Sequence, residues 1–225
     1  MNTSFTPPES FHYMDTMRKT DATPSSAQEK RRQMATAMQK LINKVARMQA
    51  SEAEMARYVE AIEDLSECIA DHDKFDSVEV FKQLYQGKAS VDEFYLDIDS
   101  GVLFGKASPV GFPMELNVIN DKVVGTATIP VAFQGPPQRV HGGIVAAVFD
   151  ILLSRTQGLC DFLGFTADLQ VSYKSAVPLD TPLQLEAWVE YVDERKLRNA
   201  GHILVDGKIV ATAQGLWVKP KQGFI

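Results

Sequence analysis

The chain has 225 residues, 45% of them hydrophobic and 23% charged, with a formal net charge of −6 and an isoelectric point near 5.3. That length and apolar content build one good core plus an appendage and exclude a disordered chain. The acidic balance argues against a general nucleic-acid binder, because neutralising phosphates needs a basic face.

Residues 1–24 mix Pro, Ser, Thr and Asp without sustained periodicity and read as a loose arm. This start lacks the continuous apolar stretch of a signal peptide, and no run of about 18 apolar residues occurs anywhere, so no membrane segment is expected. Cys68 and Cys160 offer neither a disulfide framework nor metal-ligand spacing. Both read as small apolar fillers in a reducing compartment, which places the protein in the cytoplasm with no metal expected.

Residues 25–75 carry two helical patterns. Met34, Met38, Leu41, Ile42, Val45 and Met48 recur at three- and four-residue spacing behind a possible Ser26–Glu29 capping box. Met55, Val59, Ile62, Leu65 and Ile69 form a second stripe, behind Ser51 and Glu54. The short joint Gln49-Ala50-Ser51 makes the two helices antiparallel neighbours, a helical hairpin extension. Charge supports the pairing: residues 28–48 hold six Lys/Arg against one acid, whereas 52–73 hold eight Asp/Glu against one Arg. The basic helix could alternatively track a phosphate backbone, but its acidic neighbour opposes that.

The region 90–220 has a different texture. Met114 to Ile119 and Val123 to Ile129 flank Asn120-Asp121-Lys122 as a hairpin. An apolar helix follows over about 142–160, then strand-like runs at 165–175, 183–192, 199–205 and 208–218, the last two joined by Asp206-Gly207. One buried helix among antiparallel strands gives an α+β fold, a sheet wrapped around a central helix.

At the start of that helix stand His141-Gly142-Gly143, where free N–H groups and the positive end of the dipole face outward. Such an end stabilises a developing negative oxygen, and glycine lets a substrate carbonyl approach without meeting a Cβ; the bland alternative is a tight turn. His141, at the N-cap edge, suits orientation better than proton transfer. From Ile144 to Leu153 Asp150 alone is not apolar, so it is either paired or at work. It has no evident helical salt-bridge partner. Seven residues bring it back to the face of Gly143 but about 10 Å along the axis. A base and an oxyanion donor must each reach within about 3 Å of the reacting group, so one chain cannot supply both to one carbonyl. Two antiparallel copies of the helix can, which predicts a dimer with two equivalent shared sites.

The segment GPPQRVHGGIVAAVFD resembles the corresponding segment of hotdog-fold acyl-CoA thioesterases, in the branch of PaaI-type and THEM-type enzymes. The resemblance runs from roughly residue 100 to 219 and takes in TADLQVSYKSAVPL, the DERK stretch and ATAQGLWVKP. It implies a hotdog fold, dimeric or a dimer of dimers, that hydrolyses acyl-CoA to free acid and CoA at the subunit boundary, with no cofactor beyond the coenzyme A of its substrate. It implies Gly143 as the oxyanion donor beside Gly142, Asp150 as general base or nucleophile, and Thr166 as a holder of the attacking water. Lys174, Arg195 and Lys196 become candidates for the phosphates of coenzyme A, with solvated strand ends as the plain alternative. Ser172 stands where the family has asparagine, which puts a pantetheine or carbonyl contact there in question. Ile151-Leu152-Leu153 replace residues that are often small in relatives, and either narrow an acyl tunnel or pack the core. The helical extension lies outside the family core. The alternative function is a non-catalytic acyl-CoA sensor with those helices as its output or partner element; Asp150 and Thr166 favour catalysis.

Overall fold

A computed structural model describes residues 23–70, 76–85, 99 and 101–221. The arm expected over 1–24 lies almost wholly outside the described residues.

Helix α1, Ser26–Arg47, is capped by Ser25, whose side chain accepts the Gln28 N–H at 3.2 Å, one residue ahead of the expected box. Helix α2, Glu52–Cys68, starts with the expected box: Ser51 Oγ accepts from Glu54 N–H and Glu54 Oε2 accepts from Ser51 N–H. The Ser51 hydroxyl also donates to Glu54 Oε2 at 2.6 Å, and this bond first, then the one from Ser51 N–H, holds the Glu54 carboxyl below the ordinary carboxylate range. A short helix α3, Ser77–Tyr85, was not anticipated.

The two expected helices follow one another across the short joint, but they make few close contacts with each other and their apolar stripes stay open. Helix α1 docks on the sheet domain by its polar side. Arg32 Nε lies 2.6 Å and Gln28 Nε2 2.8 Å from Asp99 Oδ2, on a carboxylate that is 1% exposed. Gln39 Nε2 donates to Ser108 O, Asn43 Oδ1 accepts from Ala132 N–H, and Arg47 pairs with Asp180. These positions, with the buried Ala35, repeat every three or four residues along one face. The apolar stripe of α1 therefore faces outward, and Cys68 on α2 is exposed rather than a core filler.

The remainder is one antiparallel sheet in the order β1-β2-β4-β5-β6-β3. Its strands are β1 Met114–Ile119, β2 Lys122–Thr128, β3 Phe165–Tyr173, β4 Pro182–Val192, β5 Lys196–Val205 and β6 Lys208–Val218. Asn120-Asp121 and Asp206-Gly207 all have positive φ, the geometry that closes two-residue hairpins in the sense of strand twist. Helix α4, Gly142–Arg155, and a 3-10 turn over Thr156–Leu159 account for the helix expected over 142–160. Helix α4 lies across β3 to β6. Its Val145, Val148, Phe149, Leu152 and Leu153 are buried in the same core as Leu183, Ile203 and Trp217. The bulky pair Leu152-Leu153 thus packs the core. Cys160 is half-buried, and burial pushes its thiol up. No helix among the described residues is long and apolar enough to cross a membrane.

Candidate active site

The first turn of α4 is tied down from both sides. His141, extended at the N-cap, accepts the Gly143 N–H on Nδ1 at 3.0 Å. Tyr173, the last residue of β3, donates its hydroxyl to Gly142 O at 2.9 Å. A Cβ at Gly142 would lie in ordinary contact with the Tyr173 hydroxyl, 3.6 Å away, whereas one at Gly143 would press on the His141 ring at 3.2 Å and displace it by a few tenths of an ångström. Neither residue has a positive φ, so glycine is not required there by the backbone conformation.

Asp150 stands two turns further along, half-buried, with its Oδ1 accepting from Thr166 Oγ1 at 2.9 Å. Thr166 occupies the second position of β3, just before a register shift between Thr166 and Asp168. An irregularity of that kind re-aims side chains, and here it sits beside the helix carboxylate. No cation among the described residues forms an ion pair with Asp150. The carboxylate has a hydroxyl partner and one oxygen further to offer.

The structure thus brings together His141, Gly142 and Gly143 at one end of α4 and Asp150 and Thr166 at its middle. The two groups are separated by about 10 Å of a single helix. Ser172 and Lys174 are exposed at the end of β3. Arg195 and Lys196 sit in the exposed β4–β5 turn, where both backbone N–H groups donate to Asp193 Oδ1, at 2.8 and 2.7 Å. Those bonds hold the Asp193 carboxyl below its usual range. No hydrogen bond among the described residues joins these four side chains to the α4 groups. Tyr173 escaped the sequence reading, although it lies inside the V-S-Y-K stretch that drew attention to its neighbours; its link to Gly142 comes from the curl of β3 over α4.

No family model matches the chain. Over 67 residues it is 36% identical to the acyl-coenzyme A thioesterase THEM4 of Rattus norvegicus, a stretch covering 28% of this chain and 27% of that protein. Over 64 residues it is 31% identical to the acyl-coenzyme A thioesterase THEM5 of Homo sapiens, covering 28% and 26%. The chain therefore matches only about a quarter of the length of these curated relatives. A crystal structure described as a thioesterase superfamily protein superposes with a TM-score of 0.70 at 25% identity, covering 84% of this chain and 90% of that one. A six-stranded antiparallel sheet wrapped on one long helix, with that likeness, defines a hotdog-fold protein. Within that class the chain is similar to thioesterase superfamily proteins.

Proposed function

We propose that the protein is an acyl-CoA thioesterase, cleaving an acyl-CoA to free acid and CoA at a site shared by two copies of the chain. The observation that carries this reading is Asp150: a half-buried carboxylate in the middle of an apolar helix, hydrogen-bonded to Thr166 and unmatched by any cation among the described residues. A purely structural acid in that setting would be expected to have a charge partner.

In the proposed reaction Asp150 accepts a proton from a water held between its carboxylate and Thr166, and the water oxygen attacks the thioester carbon. The carbonyl oxygen becomes an oxyanion at the N-terminus of α4 of the second copy, against Gly143 N–H. That donor already serves His141 Nδ1. A neutral carbonyl competes poorly for it, whereas a charged oxyanion competes well, so the interaction favours the transition state over the ground state. The tetrahedral intermediate collapses, the C–S bond breaks, and the thiolate leaves and is protonated to free CoA. These steps draw on protein groups and water alone. Lys174, Arg195 and Lys196 are exposed and suited to the phosphates of coenzyme A, and Gly142 and Ser172 to the thioester end of its pantetheine arm. The exposed outer strand β3 is the edge along which two copies would join their sheets.

The test is thiol release from a panel of acyl-CoAs of increasing chain length. Wild type should release CoA from at least one, and Asp150→Asn should bind that ester but turn it over about 10²- to 10⁴-fold more slowly. Binding without release by wild type at every chain length would replace this reading with a sensor.

A further inference from the structure

The outward stripes of α1 and α2 form a long exposed apolar surface among the described residues. On α1, Met34 is 56% exposed, and Met38, Leu41, Ile42, Val45 and Met48 are all exposed with it; on α2, Leu65 and Ile69 are 57% and 56% exposed, beside Met55, Val59 and Ile62. No residue of α2 is buried. Single exposed apolar residues are ordinary, but two continuous helical rows are the mark of a surface that meets something.

Charge identifies the occupant. At about 100° per residue, Arg31 and Lys44 fall beside the α1 stripe, and Glu52 and Glu63 beside the α2 stripe. All four are exposed, and none is in an ion pair among the described residues. The faces are complementary, yet within one chain they do not close on each other. They enclose a cleft of about 850 Å³ walled by Leu41, Val45 and Met48 on one side and Tyr58 and Ile62 on the other. The polar side of α1 is committed to its own sheet through the buried Asp99, which holds its apolar stripe outward and open to a second copy. We propose that the helices pair between copies: the acidic α2 of one chain lies against the outward apolar face of the basic α1 of a second copy, and reciprocally. A two-fold axis satisfies both pairings at once. The proposal concerns assembly and does not depend on thioester chemistry.

Hydrogen exchange of the α2 amides in the full chain tests it. One variant carries Arg31→Glu and Lys44→Glu, a second Glu52→Lys and Glu63→Lys, with helix content by circular dichroism confirming that each folds. Each alone should exchange α2 about tenfold faster than wild type. When the two are co-expressed with different tags and isolated as the mixed species, each α1 meets an α2 of opposite charge in the other chain, and protection should return. Protection regained when all four changes share one chain, but not in the mixed species, would show a hairpin within the chain and overturn the proposal. Wild-type α2 that is unprotected, protected only by anionic lipid vesicles, or indifferent to both reversals would overturn it as well.

Discussion

Thr166 Oγ1 and Asp150 Oδ1 are 2.9 Å apart, and what that hydroxyl does can be read from two substitutions. A hydrogen bond to a charged group contributes about 1.5–3 kcal/mol, so Thr166→Ala should lower kcat about ten- to hundredfold while Thr166→Ser restores most of it. Steady-state thiol release reports both. With Asp150 acting as a base, a single turnover in ¹⁸O-water should leave no label on the protein. Mass spectrometry that finds ¹⁸O in the Asp150 peptide would instead make the carboxylate the nucleophile. Asp150 was legible in the sequence because the anomaly is chemical: one acid in an apolar run needs a reason wherever the helix lies; Thr166 was marked only through the family resemblance. Tyr173 was not legible, since its hydroxyl finds Gly142 only through tertiary curvature that alternation along a strand does not encode.

The elements that carry the site are held by contacts beyond the helix and sheet ladders. Asn199 on β5 is fully buried, and its Nδ2 donates to Leu153 O and Thr156 Oγ1, closing the C-terminus of α4 from the sheet. Asn199→Ala should cost roughly 2 kcal/mol in urea unfolding, since it removes two buried hydrogen bonds and leaves a cavity, although Leu153 O keeps its bond from Thr156 Oγ1. On the outer face, Glu186 is bonded by Lys122 Nζ at 2.5 Å and by His202 Nε2 at 2.7 Å. The Lys122 bond chiefly, with His202 adding to it, holds the Glu186 carboxyl below its ordinary range. A depressed carboxylate contributes stability above its unfolded pKa and loses it as pH falls through its folded one. Lys122→Met should therefore reduce stability at neutral pH and leave it nearly unchanged at the acid end of the carboxylate range, by less than about 1 kcal/mol for so exposed a pair. Period and turn chemistry located all six strands and the central helix. The same reasoning misdirected α1, because amphipathicity says which face is apolar but not which face docks, and here six polar or small positions made the better bond with the sheet domain.

For the whole molecule the decisive prediction is complementation. Gly143→Pro deletes the donor N–H without demanding a foreign φ in the first helical turn, though its ring displaces the His141 side chain that accepts that N–H, and Asp150→Asn deletes the base. Each alone should be nearly inactive. In a mixed dimer one site inherits both defects and the other neither, so activity should return to about half that of wild type, as measured on dimers isolated through two tags. Mixed dimers as dead as either parent would place donor and base in one chain. The seven-residue interval between Gly143 and Asp150 has a further consequence. An α-helix is a rigid ruler, and no loop motion or side-chain rotation shortens two of its turns. A freshly made chain that has not met its copy would then be chemically silent however well it folds, so its output would rise with roughly the square of its abundance until pairing saturates.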